Sequence, residues 1–189
     1  MPLMSIIWPA WLLVAAASEA GSCDADTLAA SAASFRRDGF AVLPHFSPAT
    51  EVSAMLSSME AMVAAWWGNE HARPREENVF VTGEKQTSAQ AASRYFFDSA
   101  DRVHFFREAG STADGDKPPE LNKVGHGLHL NESTPFGTYA TSAKVAAVAR
   151  TVAGLESPVL PQSMYIFVRH QPPNVGPLRV CLVPHPCLL

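Results

Sequence analysis

The stretch LNKVGHGLHL, residues 121–130, gathers the side chains best suited to chemistry: Lys123, and two histidines, His126 and His129, three positions apart. On a helix, histidines at i and i+3 can face one metal ion. Gly125 and Gly127 flank His126, however, and argue for an extended or looped backbone. A lone His-x-x-His is also a weak pattern, so both imidazoles are expected to be structural or solvent-facing rather than metal ligands. Lys123 lies between the apolar Leu121 and Val124, where a compact ammonium can meet a carboxylate in a partly desolvated pocket. An exposed strand lysine is the ordinary alternative. A second group, Cys181, His185 and Cys187, lacks the spacing of a tetrahedral soft-metal site and is taken as coincidence.

The elements that must position these residues follow from local signals. Asp24 or Asp26 can cap a helix running to about Arg37, with Gly39 where a left-handed C-terminal cap is expected. FAVL, residues 40–43, predicts a short strand. Ser47-Pro48 is a helix-start signal that opens a run with Val52, Met55, Met59, Met62 and Trp66 on one face. A methionine stripe can be an adaptable binding surface, but at helical spacing it is expected to be core. Residues 68–92 are polar and predict a loop or insertion. RYFF (94–97) and VHFF (103–106), joined by DSADR, predict a hairpin. Thr134-Pro135 starts a helical region in which Val145, Val148, Ala149 and Val152 share a face before Gly154 ends it. PVLPQSMYIFVR, residues 158–169, is the strongest strand pattern.

With 189 residues, 47% of them hydrophobic and 17% charged, the chain suits one globular domain with extensions. A net charge of -4 without a Lys/Arg run gives no electrostatic footprint for nucleic acid. The three cysteines, Cys23, Cys181 and Cys187, lie near the ends, so no disulfide framework spans the middle. Residues 1–22 form an apolar leader: SIIWPAWLLVAAA, then small residues, resembles a signal peptide, although no Lys or Arg precedes Arg36. Export and an intracellular location both stay open. The apolar run is shorter than the ~20 residues a transmembrane helix needs, and Pro9 interrupts it.

FRRDGFAVLPHFSPATEV (35–52), YFFDSADRVHFFREAG (95–110), LNKVGHGLHL and QSMYIFVRHQPPNVG (162–176), in that order, resemble the N-terminal half of a phytanoyl-CoA dioxygenase family protein. The resemblance implies an α+β chain carrying the N-terminal part of a double-stranded β-helix, or jelly roll, with the barrel incomplete. It also implies an Fe(II)- and 2-oxoglutarate-dependent oxygenase that couples cosubstrate decarboxylation to hydroxylation of a substrate carbon. The iron in such enzymes sits in a facial triad of two histidines and a carboxylate. Carried over by position, Lys123 matches the family lysine that contacts 2-oxoglutarate, and Met164 matches a residue lining the same pocket. The implied partner is a small-molecule substrate of unspecified, lipid-like class.

The pattern then breaks. The resemblance places His-x-Asp, two of the iron ligands, a few residues beyond SMYIF, where this chain has PLRVCLVPHPCLL. Two positions after His45, His71, His104, His126, His129, His170 and His185 stand Ser47, Arg73, Phe106, Leu128, Asn131, Pro172 and Cys187. No catalytic residue or metal ligand is therefore assigned. Residues 24–176 are expected to form the dioxygenase-like portion and 177–189 a divergent tail, as in a truncated product whose barrel strand exposes an apolar edge.

Overall fold

The computed structural model describes residues 24–69, 79–80 and 93–167. The leader, most of the 68–92 segment and the 177–189 tail with its cysteines fall outside the described residues.

Helix α1, Ala25–Asp38, begins where Asp24 accepts the Thr27 N–H at 2.8 Å. It ends at Gly39, whose φ of 80° lets its N–H reach the Phe35 carbonyl. Both ends match the sequence signals. Helix α2, Ala49–Gly68, starts one residue later than the Pro-at-N1 pattern predicts. Pro48 itself takes the cap position with extended backbone, and the Ser47 hydroxyl donates instead to the Tyr139 hydroxyl at 3.3 Å. Met55, Met59 and Trp66 are buried along this helix, and Val52 and Met62 are half-buried, so the methionine stripe is core.

Strands β1 (Val79–Phe80), β2 (Val103–Glu108), β3 (Leu121–His126) and β4 (Ser163–Ile166) form one sheet in that order. β1 runs parallel to β2, and the other two pairings are antiparallel. Among the described residues the sheet is open, as part of a barrel would be. Short helices α3 (Arg94–Asp98), α4 (Pro135–Ala140) and α5 (Ala143–Thr151) complete the α+β architecture. α2 covers one face of the sheet, where Met59, Trp66, Leu121, Val124 and Leu128 form the main core and Trp66 stacks on Phe105 at 4.8 Å. A second cluster joins Leu28 of α1 to Val148 of α5 and to Val152 at the C-cap of that helix, the face expected from their spacing.

Four expectations need correction. RYFF is not a strand: Ser93 accepts the Phe96 N–H, so the run folds as α3 and only VHFF pairs in the sheet. Aromatic residues suit strand or helix, and the cap decides. FAVL is not a strand either; Phe40 and Val42 stay exposed while Ala41 and Leu43 pack on the α1–α5 cluster. The 134–154 region is two helices, because the Ser142 hydroxyl accepts the Val145 N–H and restarts the backbone. The strand predicted over 158–169 is four residues long in the sheet. Pro158 and Pro161, which offer no N–H to a ladder, precede it.

Candidate functional site

β3 lies between β2 and β4, so its backbone is paired on both sides and five of its six residues are buried. Strict alternation would put Leu121 and Lys123 on one face. A bulge intervenes: Phe106 pairs with Lys123 and Arg107 with Leu121, leaving Asn122 as an extra residue. One inserted residue swaps the facing of everything beyond it. Leu121 and Val124 can therefore both join the core under α2, while Lys123 faces the other way.

On that other face, Lys123 is 7% exposed, and its ammonium lies 5.2 Å from the centre of the Phe106 ring and 5.6 Å from that of Phe96. Ring faces attract a cation, but they do not replace its hydration. Burial accordingly pushes the Lys123 pKa down to about 8. Met164 is on the same face of the next strand: it pairs with Gly125, as Ile166 pairs with Lys123, so Lys123 and Met164 are diagonal neighbours. Gly125 makes this close approach feasible, since a Cβ there would lie 2.8 Å from the Met164 Cβ and 2.9 Å from the Ser163 carbonyl oxygen. The two residues singled out by sequence are thus brought together.

His126 is buried, and its ring rests 5.4 Å from Phe96 and 5.6 Å from Phe106, the rings that also flank Lys123. Its Nδ1 is 2.7 Å from the Ser99 hydroxyl, and its backbone N–H donates to the Ser99 carbonyl. Desolvation, then the neighbouring Lys123 charge, then His104, push its pKa down to about 4, so the ring is neutral at pH 7. His129 turns elsewhere, with its backbone N–H and Nδ1 both 2.8 Å from the Ser163 hydroxyl. His126 and His129 each meet a separate serine, Ser99 and Ser163. Among the described residues no three His, Cys, Asp or Glu side chains converge as a metal site would require.

Sequence reasoning missed three contributors. Ser99 stands in what looked like a polar hairpin connection, yet it is fully buried. Phe96 reaches the site because α3 folds back over β2. Tyr95 clamps that helix: its hydroxyl donates to the Phe105 carbonyl and accepts the Phe105 N–H, satisfying backbone groups of β2 that no described strand pairs. His104 stacks on the Tyr95 ring at 4.1 Å and donates Nδ1–H to the Tyr95 carbonyl at 2.8 Å. No short-range signal in the sequence links Tyr95 to Phe105, since the contact depends on how the chain turns at Ser99.

Residues 35–185 match the family model described as Phytanoyl-CoA dioxygenase (PhyH). The chain is 40% identical over 138 residues to phytanoyl-CoA dioxygenase domain-containing protein 1 of Bos taurus, covering 70% of this chain and 46% of that protein. It is 33% identical over 147 residues to the Caenorhabditis elegans homolog, covering 75% and 47%. To phytanoyl-CoA dioxygenase 1 of Oryza sativa subsp. japonica it is 32% identical over 147 residues, again covering 75% and 47%. The chain spans about half the length of the curated relatives it matches.

Proposed function

The chain belongs to the phytanoyl-CoA dioxygenase family, and on that premise we propose that it carries the cosubstrate-binding part of an Fe(II)- and 2-oxoglutarate-dependent dioxygenase. In this reading Lys123 pairs with a 2-oxoglutarate carboxylate and Met164 lines the same pocket. The observation that carries the proposal is the buried Lys123 ammonium, set over Phe96 and Phe106 and diagonal to Met164. A planar carboxylate matches an ammonium in such a pocket through a short, charge-assisted hydrogen bond. The residues present therefore fit a dicarboxylate.

They do not fit iron. No histidine anywhere in the chain is followed two positions later by Asp or Glu, and beyond Glu156 there is no carboxylate side chain at all. Neutral nitrogens without a carboxylate lack the charge of a facial triad. We therefore expect these 189 residues by themselves to bind the cosubstrate without turning it over. The alternative is a non-catalytic binding protein derived from the family. The same buried lysine favours it, because an acid can be held there without iron. The substrate class proposed is a small lipid-like molecule.

Two measurements on the full chain test this: 2-oxoglutarate affinity by calorimetry, and succinate release with added Fe(II). Binding that Lys123→Ala abolishes, with no succinate, is the expected result. Succinate production would overturn the claim that the chain lacks an iron triad. Affinity indifferent to Lys123→Ala would remove the lysine from the site.

A further inference from the structure

The Ser99 hydroxyl has one proton and two close partners. The Phe96 carbonyl oxygen, 2.5 Å away, can only accept, so it takes that proton. The His126 Nδ1 at 2.7 Å must then be the donor, with its own hydrogen aimed at the Ser99 oxygen. In a neutral imidazole one nitrogen carries the hydrogen and the other is an acceptor, and the hydrogen bond made by one decides the role of the other. Nε2 is consequently left with its lone pair. Ser99 is 0% exposed and His126 5%, so water does not compete for this arrangement, and the Ser99 carbonyl fixes the His126 backbone as well.

The His126 ring and the Lys123 ammonium share their neighbours. Phe96 and Phe106 flank both the His126 ring and the Lys123 ammonium, and the Lys123 charge is near enough to oppose protonation of His126. We infer that Ser99 and His126 form a positioning pair for Lys123: Ser99 locks the imidazole with hydrogen on Nδ1, and the Nε2 lone pair steers the ammonium toward a bound dicarboxylate. The inference rests on the reading of Lys123 given above and extends it to two residues that touch neither ligand nor metal. The other titratable groups packed around the pair are His104 of β2, whose Nδ1–H is engaged by the Tyr95 carbonyl, and Tyr95 of α3, whose hydroxyl is engaged by Phe105.

The tautomer can be observed directly by long-range proton–nitrogen correlation on the 15N-labelled full chain, without ligand. Hydrogen on Nδ1 of His126, shifting toward Nε2 in Ser99→Ala, is the expected result. Hydrogen on Nε2 in the unsubstituted chain overturns the inference. Calorimetry with 2-oxoglutarate supplies the second readout. His126→Leu is expected to weaken binding roughly tenfold, the effect of losing one hydrogen bond to a charged group. His126→Gln, whose amide oxygen can stand near the Nε2 position, is expected to recover most of the loss, which a purely structural role would not produce. If Lys123→Ala abolishes binding while His126→Leu leaves it unchanged, the positioning pair fails and the lysine assignment stands. If the unsubstituted chain does not bind 2-oxoglutarate, both fail together.

Discussion

The two faces of β3 solve opposite problems. Toward α2 the strand presents Leu121 and Val124 to Met59, Trp66 and Leu128, a contact made entirely of apolar side chains. Away from α2 it presents Lys123 to Phe96 and Phe106, beside a neutral His126 held by Ser99. Both faces are dry, and Val124 and Lys123 are adjacent in sequence and similarly buried, at 0% and 7% exposure. The first face gains stability from every group it hides, whereas the second gives up part of it to hold an ammonium out of water.

The largest effect should come from the apolar face. Trp66→Ala removes the ring stacked on Phe105 and is expected to lower unfolding stability by about 3–5 kcal/mol, read from urea titration. A smaller loss would mean that α2 contributes less to the sheet than its burial suggests.

Acid tests the polar face next. The folded-state pKa of His126 lies near 4 against an ordinary value of 6.5, so between these values the unfolded chain binds more protons than the folded one. Stability should therefore fall as pH drops from about 6.5 to 4, by an amount on the order of 2–3 kcal/mol. His126→Gln should flatten this segment of the stability curve. Lys123 acts in the same sense at higher pH: its folded pKa near 8 lies below the ordinary 10.5, so stability should rise from about pH 8 to 10.5, and Lys123→Met should abolish the rise.

Gly125→Ala probes the junction with β4. The added methyl meets the Met164 Cβ and the Ser163 carbonyl at under 3 Å, so the strands must separate, at about 1–3 kcal/mol. Faster amide exchange confined to Ser163–Ile166 would locate the damage. The smallest change in stability, and the sharpest contrast, is Lys123→Met. Replacing a buried ammonium by an unbranched apolar chain should leave the fold unchanged or stabilise it by about 1 kcal/mol while eliminating 2-oxoglutarate binding. A marked destabilisation would show that Lys123 is a structural residue.

Local signals foretold some elements well and others poorly, for identifiable reasons. The caps at Asp24 and Gly39, the apolar stripe of α2 and the Val148–Val152 face were legible because each depends on residues within a turn or two of one another. RYFF was misassigned because one Ser93 hydrogen bond outweighed an aromatic strand pattern, and FAVL because its residues meet no neighbouring strand. Lys123 and Met164 were singled out by family resemblance, while their polarity and spacing alone left an exposed lysine as the simpler reading. Ser99 was invisible, since nothing distinguishes a buried serine from a turn serine until α3 folds over β2.

The sequence by itself determined family membership, the helix limits that rest on caps, the apolar faces, and the absence of a His-x-Asp or His-x-Glu motif, all properties of residue identity at short range. Only the tertiary structure decided that Lys123 is buried, that Met164 lies diagonal to it, and that His126 turns to Ser99 while His129 turns to Ser163. Those facts depend on a single bulge at Asn122 and on pairings between residues 14 to 43 positions apart. The energies that select such pairings come from burial shared across strands and helices, which no local stretch of chain contains.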